Sequence, residues 1–156
     1  MPERRQGVVI GLVTDLEDPE GLGRIRVEFP WLSESNVSNW ARVATPLAGP
    51  ELGHFFQPEV GDEALIAFEM GDVQKPYILG YLWNGDNAPP SDDPNVRMIQ
   101  TVAGHKLVFD DTGGEESVTV EDASGNTTVM NADGIVLEDA NGNKIEMTSG
   151  GITIES

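Results

Sequence analysis

The residues able to do chemistry are few, and they do not converge along the chain. Cysteine is absent, which removes disulfides, thiolate nucleophiles and thiolate metal sites. The two histidines, His54 and His105, are far apart, and no His-x-His pair occurs. No Ser-His-Asp set stands out, and Gly21-Leu22-Gly23 reads as a turn, not a phosphate loop. Acidic residues come in pairs, and glycoside hydrolysis uses two carboxylates. Solvated faces and turns account for these pairs better. DANGNKIE (139–146) looks faintly like a calcium loop. An EF-hand needs glycine at its sixth position, where Lys144 stands, and helices on both flanks, which the sequence does not supply. Asx-Gly turns explain the stretch better, with adventitious cation binding between acidic subunits as the alternative. The expectation is a protein with no catalytic residues, no cofactor and no resident metal.

Charge narrows the partners. The net charge is −18, spread evenly: residues 1–100 hold 16 acidic and 7 basic side chains, and residues 101–156 hold 11 and 2. Phosphate contacts need Lys and Arg, so nucleic acid is not an expected partner. No apolar run approaches the length of a membrane-spanning helix, and MPERRQG lacks the apolar core of a signal peptide. A soluble product made in the cytoplasm is expected.

Little in the sequence reads as helix. Glycine (18) and proline (10) punctuate it at short intervals. Between them lie strand-like runs at Val8–Thr14, Arg24–Phe29, Ala41–Thr45, Glu63–Phe68 and Tyr77–Leu82. Five short strands in such a span fit a small barrel or sandwich, an OB-fold among them. In GRIRVEF, alternation puts Ile25, Val27 and Phe29 on one face and Arg24, Arg26 and Glu28 on the other. Asp18-Pro19 with Gly21 and Gly23 makes a tight connection. Gly61-Asp62 starts a strand whose Leu65 and Ala67 face inward or across an interface. Trp31, Trp40 and Trp83 fill the barrel or the seams between subunits.

The stretch 84–96, NGDNAPPSDDPNV, is rich in breakers and reads as a linker. Beyond it the sequence repeats. SVTVEDASGN, GIVLEDANGN and GITIES superimpose at a spacing of 17. Val118, Ile135 and Ile152 correspond, as do Val120, Leu137 and Ile154, and Glu121, Glu138 and Glu155. Met130 and Met147 keep the same spacing, and Gly134, Gly142 and Gly150 mark a shorter step of eight. Seventeen is about two short strands with their turns. Each unit offers two or three apolar side chains on one face, too few to fold alone. The tail therefore stacks as a solenoid or associates with other chains. Three chains around an axis would bury the stripe Val118, Val120, Ile135, Leu137, Ile152 and Ile154. Glu121, Asp122, Glu138 and Asp139 would stay outside.

An ordered set of motifs resembles the phage baseplate assembly protein V family of central spikes, related to the spike part of VgrG. The motifs are GLGRIRVEFPWL (21–32), WARVATPLAG (40–49), PEVGDEALIAFEMGD (58–72) and KPYILGYLWN (75–84), with TVAGHKLVFDD (101–111) entering the repeat region. The resemblance implies an all-β chain: an N-terminal OB-fold barrel (1–83), the linker (84–96) and a C-terminal trimeric intertwined β-helix needle (97–156). It implies a structural central spike of a contractile tail, or contractile injection system, that docks on a baseplate hub protein and punctures the target cell envelope. Its place would be the virion baseplate or an equivalent particle, assembled in the host cytoplasm. Some relatives carry a lysozyme domain where this chain has only the linker. Some bind iron at the apex through a histidine pair that ITIES does not offer. The final strand runs in the register of the repeat to Ser156. It is expected to pair with the same strand of two other chains and to form the needle's apex. Ile152, Ile154 and Ser156 would there meet a tip protein of the PAAR-repeat kind. The alternative is a monomeric OB-fold module binding carbohydrate or oligonucleotide, with a disordered acidic tail; a cell-wall hydrolase is a third reading.

Overall fold

The computed structural model describes residues 6–32 and 36–156. It divides into two compact units, with the boundary between Ala88 and Pro89.

The first unit is built on a five-stranded sheet. Its strands are β1 (Val8–Asp15), β2 (Arg26–Glu28), β3 (Arg42–Val43), β6 (Glu63–Phe68) and β7 (Pro76–Leu82), in the order β2-β1-β6-β7-β3. The short pair β4 (Ala48–Gly49) and β5 (Leu52–Gly53) forms a separate hairpin, and a 3-10 turn spans Glu69–Gly71. All pairings in the main sheet are antiparallel except β3 with β7. The segment leading into β3 also bridges back to β2. Ile25 and Ala41 exchange backbone hydrogen bonds of 3.0 and 2.7 Å, and Ser38 N–H donates to the Val27 carbonyl at 2.8 Å. The sheet thus curls round until its first and last strands meet, giving the five-stranded Greek-key connectivity of an OB-fold.

Strand alternation fills this barrel. Val13, Ile25, Val27, Phe29, Ala41, Ala64, Ile66, Phe68 and Ile78 form the buried core. The trio Ile25, Val27 and Phe29 lies wholly inside, as the alternation of GRIRVEF requires. Gly11 is needed in β1 because a Cβ there would sit 2.7 Å from Ile66 Cδ1 and 2.8 Å from the Glu28 carbonyl oxygen. The turn before β2 is organised by Asp18. Its carboxylate accepts the backbone N–H groups of Glu20, Leu22 and Arg24 and both Nε and Nη2 of Arg24, the last at 2.6 Å. The Arg24 hydrogen bonds hold the Asp18 carboxyl well below its usual range, against the opposing effect of burial.

Two expectations, each of which allowed an interface as its alternative, need correction in their inward half. In EALIAF the inward residues are Ala64, Ile66 and Phe68; Leu65 and Ala67 point to the outer face. Apolar residues occupy both phases of that strand, so alternation alone does not fix which phase is inside. None of the three tryptophans belongs to the core. Trp31 (39% exposed) packs its ring 5.4 Å from Phe29 at the barrel's rim, Trp83 is 70% exposed, and Trp40 is half-buried on the outer face. Trp40 is out of phase with the inward Ala41, and Trp31 and Trp83 lie beyond the ends of β2 and β7.

The second unit is one antiparallel sheet of seven strands in sequence order: β8 (Val96–Gln100), β9 (Lys106–Asp110), β10 (Ser117–Glu121), β11 (Thr127–Asn131), β12 (Gly134–Glu138), β13 (Lys144–Thr148) and β14 (Gly151–Glu155). Its strands are joined as a meander, not as the coils of a solenoid. The 17-residue spacing is the step from β10 to β12 to β14. The finer step is uneven: five-residue connections (101–105, 122–126, 139–143) alternate, from β10 onward, with two-residue ones (132–133, 149–150). Gly134 opens β12 with φ +147, and a Cβ there would collide with the Met147 carbonyl oxygen. The final strand pairs along one edge with β13 of its own chain, from Lys144↔Glu155 to Thr148↔Gly151. The expectation that other chains supply all its partners is corrected for that edge. A two-residue turn lets the chain fold back at once, and local pairing has the lower entropic cost.

Candidate functional site

Register and alternation assign every side chain of the second unit to a face. Across β9 to β14, one row runs Phe109, Val118, Met130, Ile135, Met147, Ile152. The next row on the same face runs Leu107, Val120, Thr128, Leu137, Ile145, Ile154. All six residues expected to form the stripe lie here, three in each row. The structure adds Leu107, Phe109, Met130, Ile145 and Met147. The 17-residue match of Met130 with Met147 pointed to two of them. Ile145 was hidden because its counterpart one repeat earlier is Thr128.

The opposite face differs. Its central row is Met98, Val108, Thr119, Val129, Val136, Glu146 and Thr153, flanked by a charged row with Lys106, Glu121, Glu138, Lys144 and Glu155. Lys106 pairs with Glu121 across strands at 3.2 Å, and Lys144 with Glu146 at 2.8 Å. Glu146 raises the basicity of Lys144 through that hydrogen bond.

No residue from Pro89 to Ser156 is buried in the single chain. Ile152 and Ile154 are 69% and 76% exposed. Val120, Leu137, Ile145 and Ile154 line a groove of about 530 Å³ on the apolar face. A contiguous apolar surface of this kind on a folded element marks an interaction site.

One edge of the sheet carries a hydrogen-bonded ladder. The three five-residue connections, TVAGH, DASGN and DANGN, share one geometry. Gly104, Gly125 and Gly142 each have φ near +90 and donate to the carbonyl of the first turn residue. The first residue's side chain accepts the N–H of the fifth: Thr101 from His105 (3.1 Å), Asp122 from Asn126 (2.9 Å), Asp139 from Asn143 (2.9 Å). The fifth residue then reaches the next turn. His105 Nδ1 accepts the Ala123 N–H at 3.2 Å, and Asn126 Oδ1 accepts the Ala140 N–H at 3.1 Å. Asp122 and Asp139, expected as solvated outer charges, are therefore turn organisers. Hydrogen bonds from Asn126 lower the Asp122 pKa, and those from Asn143 hold Asp139 down to about 2. The oxygens of Asp139 are taken up by Asn141 and Asn143 of its own turn, a turn explanation and not a calcium loop.

Elsewhere the candidate residues stay apart. His54 sits in the exposed segment after β5, donating its N–H to the Leu47 carbonyl at 3.0 Å. Among the described residues no group of three or more His, Cys, Asp or Glu is arranged to hold a metal ion.

Comparison with known proteins agrees with this division. Residues 9–83 match the type VI secretion system/phage-baseplate injector OB domain, and residues 95–156 match the phage baseplate V C-terminal trimerisation domain. The chain is 29% identical over 110 residues to the type VI secretion system spike protein VgrG2a of Pseudomonas aeruginosa, covering 63% of this chain and 13% of that protein. It is 33% identical over 111 residues to the spike protein VgrG3 of Vibrio cholerae, covering 64% and 11%. With VgrG5 of P. aeruginosa it shares 28% over 127 residues, covering 79% and 16%. The matched stretches thus span only about a tenth to a sixth of the length of these relatives. An OB barrel followed by a trimerisation domain, matched over nearly the whole chain, places it in the baseplate V/VgrG-like spike family.

Proposed function

We propose that the chain is a structural, non-enzymatic central-spike protein acting as a homotrimer. Three copies turn the rows containing Val118, Val120, Ile135, Leu137, Ile152 and Ile154 toward a common axis. Their charged faces remain in water. The observation that carries this reading is the seven-stranded sheet with no buried residue and one continuous apolar face. Full burial of one such side chain contributes about 1.5–3 kcal/mol, so covering two rows supplies what the single chain lacks. The match to a trimerisation domain supports three as the number of copies.

In this reading the barrel segments form a collar that docks on a baseplate hub, and the stiff needle concentrates contraction force on the target envelope. The needle would be three meanders facing one axis, in place of strands interwoven from the start. A tip protein meeting Ile152, Ile154 and Ser156 belongs to the same proposal. The particle would be a phage tail or an equivalent injection machine, assembled in the producing cell's cytoplasm.

Mass in solution tests it. Light scattering on the purified chain should give about three times 16.8 kDa. A 16.8 kDa monomer at micromolar concentration would overturn the reading and favour the barrel as a free-standing carbohydrate or oligonucleotide module.

A further inference from the structure

We propose that the outer face of β2, β3 and β7 is a docking surface for a carboxylate-bearing segment of a partner protein, gripped by Arg26 and Arg42. The starting point is a census of cations in an acidic chain. Among the described residues Arg24 is paired with Asp18 and Glu20, Lys75 with Glu69, Arg97 with Asp111, Lys106 with Glu121 and Lys144 with Glu146. Arg26 and Arg42 are the two described cations with no ion pair. They sit together. Ile25, Ala41 and Ile78 point into the barrel, so Arg26, Trp40, Arg42 and Tyr77 point out, on three neighbouring strands.

Each arginine lies over a ring. Arg26 Cζ is 4.9 Å from the centre of Trp40, and Arg42 Cζ is 5.9 Å from that of Tyr77, its direct cross-strand partner. Such stacking fixes a guanidinium plane and leaves its N–H edge free to bond. Arg26 Nε is buried without any hydrogen-bond acceptor, as is Thr14 Oγ1, set in the bulge where β1 meets Arg26. An unsatisfied buried donor is a standing cost, and an arriving carboxylate reaches it only with a shift of the Arg26 side chain. A carboxylate matches the fork of a guanidinium in shape and charge.

Charge selects the occupant. Glu28 shares this outer face, and Glu69 already accepts from Tyr77 Oη and Lys75 Nζ while feeling Arg42 through space. A short acidic protein segment brings few charges, so it meets less of the repulsion of the −18 chain than a polyanion does. A nucleic acid would meet the repulsion of the whole −18 chain. The face on OB strands two and three is also where this fold commonly holds ligands.

The test uses the full chain and a fluorescein-labelled peptide of alternating Glu and Val, followed by anisotropy at low salt. Saturable binding is expected, with no binding of the same peptide carrying Gln for Glu. R26Q/R42Q should weaken it at least about tenfold, the loss expected for charge-assisted hydrogen bonds. Because Arg26 packs on Trp40, the exposed single change R42Q, and the reversal R42E, keep the test meaningful if the double variant misfolds. Absence of binding, equal binding by R42Q, or tighter binding of a thymidine oligonucleotide each overturns the proposal. So does a salt-sensitive growth of mass beyond the trimer that R42Q removes, since a second copy would then fill the site. Light scattering on the same samples reads the trimer separately.

Discussion

The two units turn alternating strands to opposite ends. The barrel curls its sheet until the edges meet, and alternate residues become a core of nine buried side chains among the described residues. The needle unit leaves its sheet open and buries nothing within the chain. A closed sheet carries its own stability, whereas an open amphipathic sheet must obtain it from a further surface. The same alternation therefore produces a core in one unit and an interface in the other.

The largest expected break in this contrast is Ile135→Asp. It sets three carboxylates close to one axis with no counter-charge, a cost far above the worth of a single apolar contact. The expected result is a monomer by light scattering whose circular dichroism keeps the barrel's signal and loses the needle's. A stable trimer would put Ile135 on the outside.

A second pair of changes sharpens it. Ile66→Ala opens a cavity in a closed core, and such truncations cost about 2–5 kcal/mol. Leu137→Ala removes comparable atoms from the open face. The barrel transition shifted by Ile66→Ala should not depend on protein concentration. The needle transition shifted by Leu137→Ala should, because dissociation is part of it. Thermal scans at two concentrations decide: equal concentration dependence for both variants would mean that the units do not differ as argued.

These expectations rest on features that the sequence displays unevenly. Ile25, Val27 and Phe29 alternate with charged residues, so their burial was readable. EALIAF is apolar in both phases, and only the pairing of β6 between β1 and β7 settles that Ile66 is inside and Leu65 outside. The 17-residue repeat announced the stripe, because a strand and its return keep a fixed length. It missed Ile145, since Thr128 breaks the correspondence, and it missed the pairing of β14 by its own chain. The outer strip of Arg26, Trp40, Arg42 and Tyr77 was invisible, because its members come from three strands brought together by barrel closure.

The ladder along the needle's edge offers a smaller effect, tied to pH. The pKa of Asp139 is held down to about 2 by Asn143 and its neighbours, against 3.8 when unperturbed. A depressed carboxyl stabilises the fold fully above its ordinary pKa, and that contribution is lost as pH falls toward 2. Acid titration of the trimer should therefore show needle stability flat from neutral pH to about 4 and declining below. Asp139→Ala should remove this contribution at neutral pH, with a modest drop in the needle's melting temperature and none in the barrel's. An unchanged acid limb in Asp139→Ala would mean that other carboxylates set it.

The smallest effect concerns His105. It occupies the place in TVAGH that Asn126 and Asn143 hold in DASGN and DANGN, and its Nδ1 does for Ala123 what Asn126 Oδ1 does for Ala140. The sequence conceals this equivalence, because those turns share only the glycine at the fourth position. The role needs an acceptor and not an imidazole as such. His105→Asn should then leave the needle's melting temperature unchanged, while His105→Ala, which leaves the Ala123 N–H without that acceptor, should lower it slightly. Thermal scans of both variants beside the parent isolate that rung. Equal loss in the Asn and Ala variants would mean that the ring's packing matters and its acceptor does not.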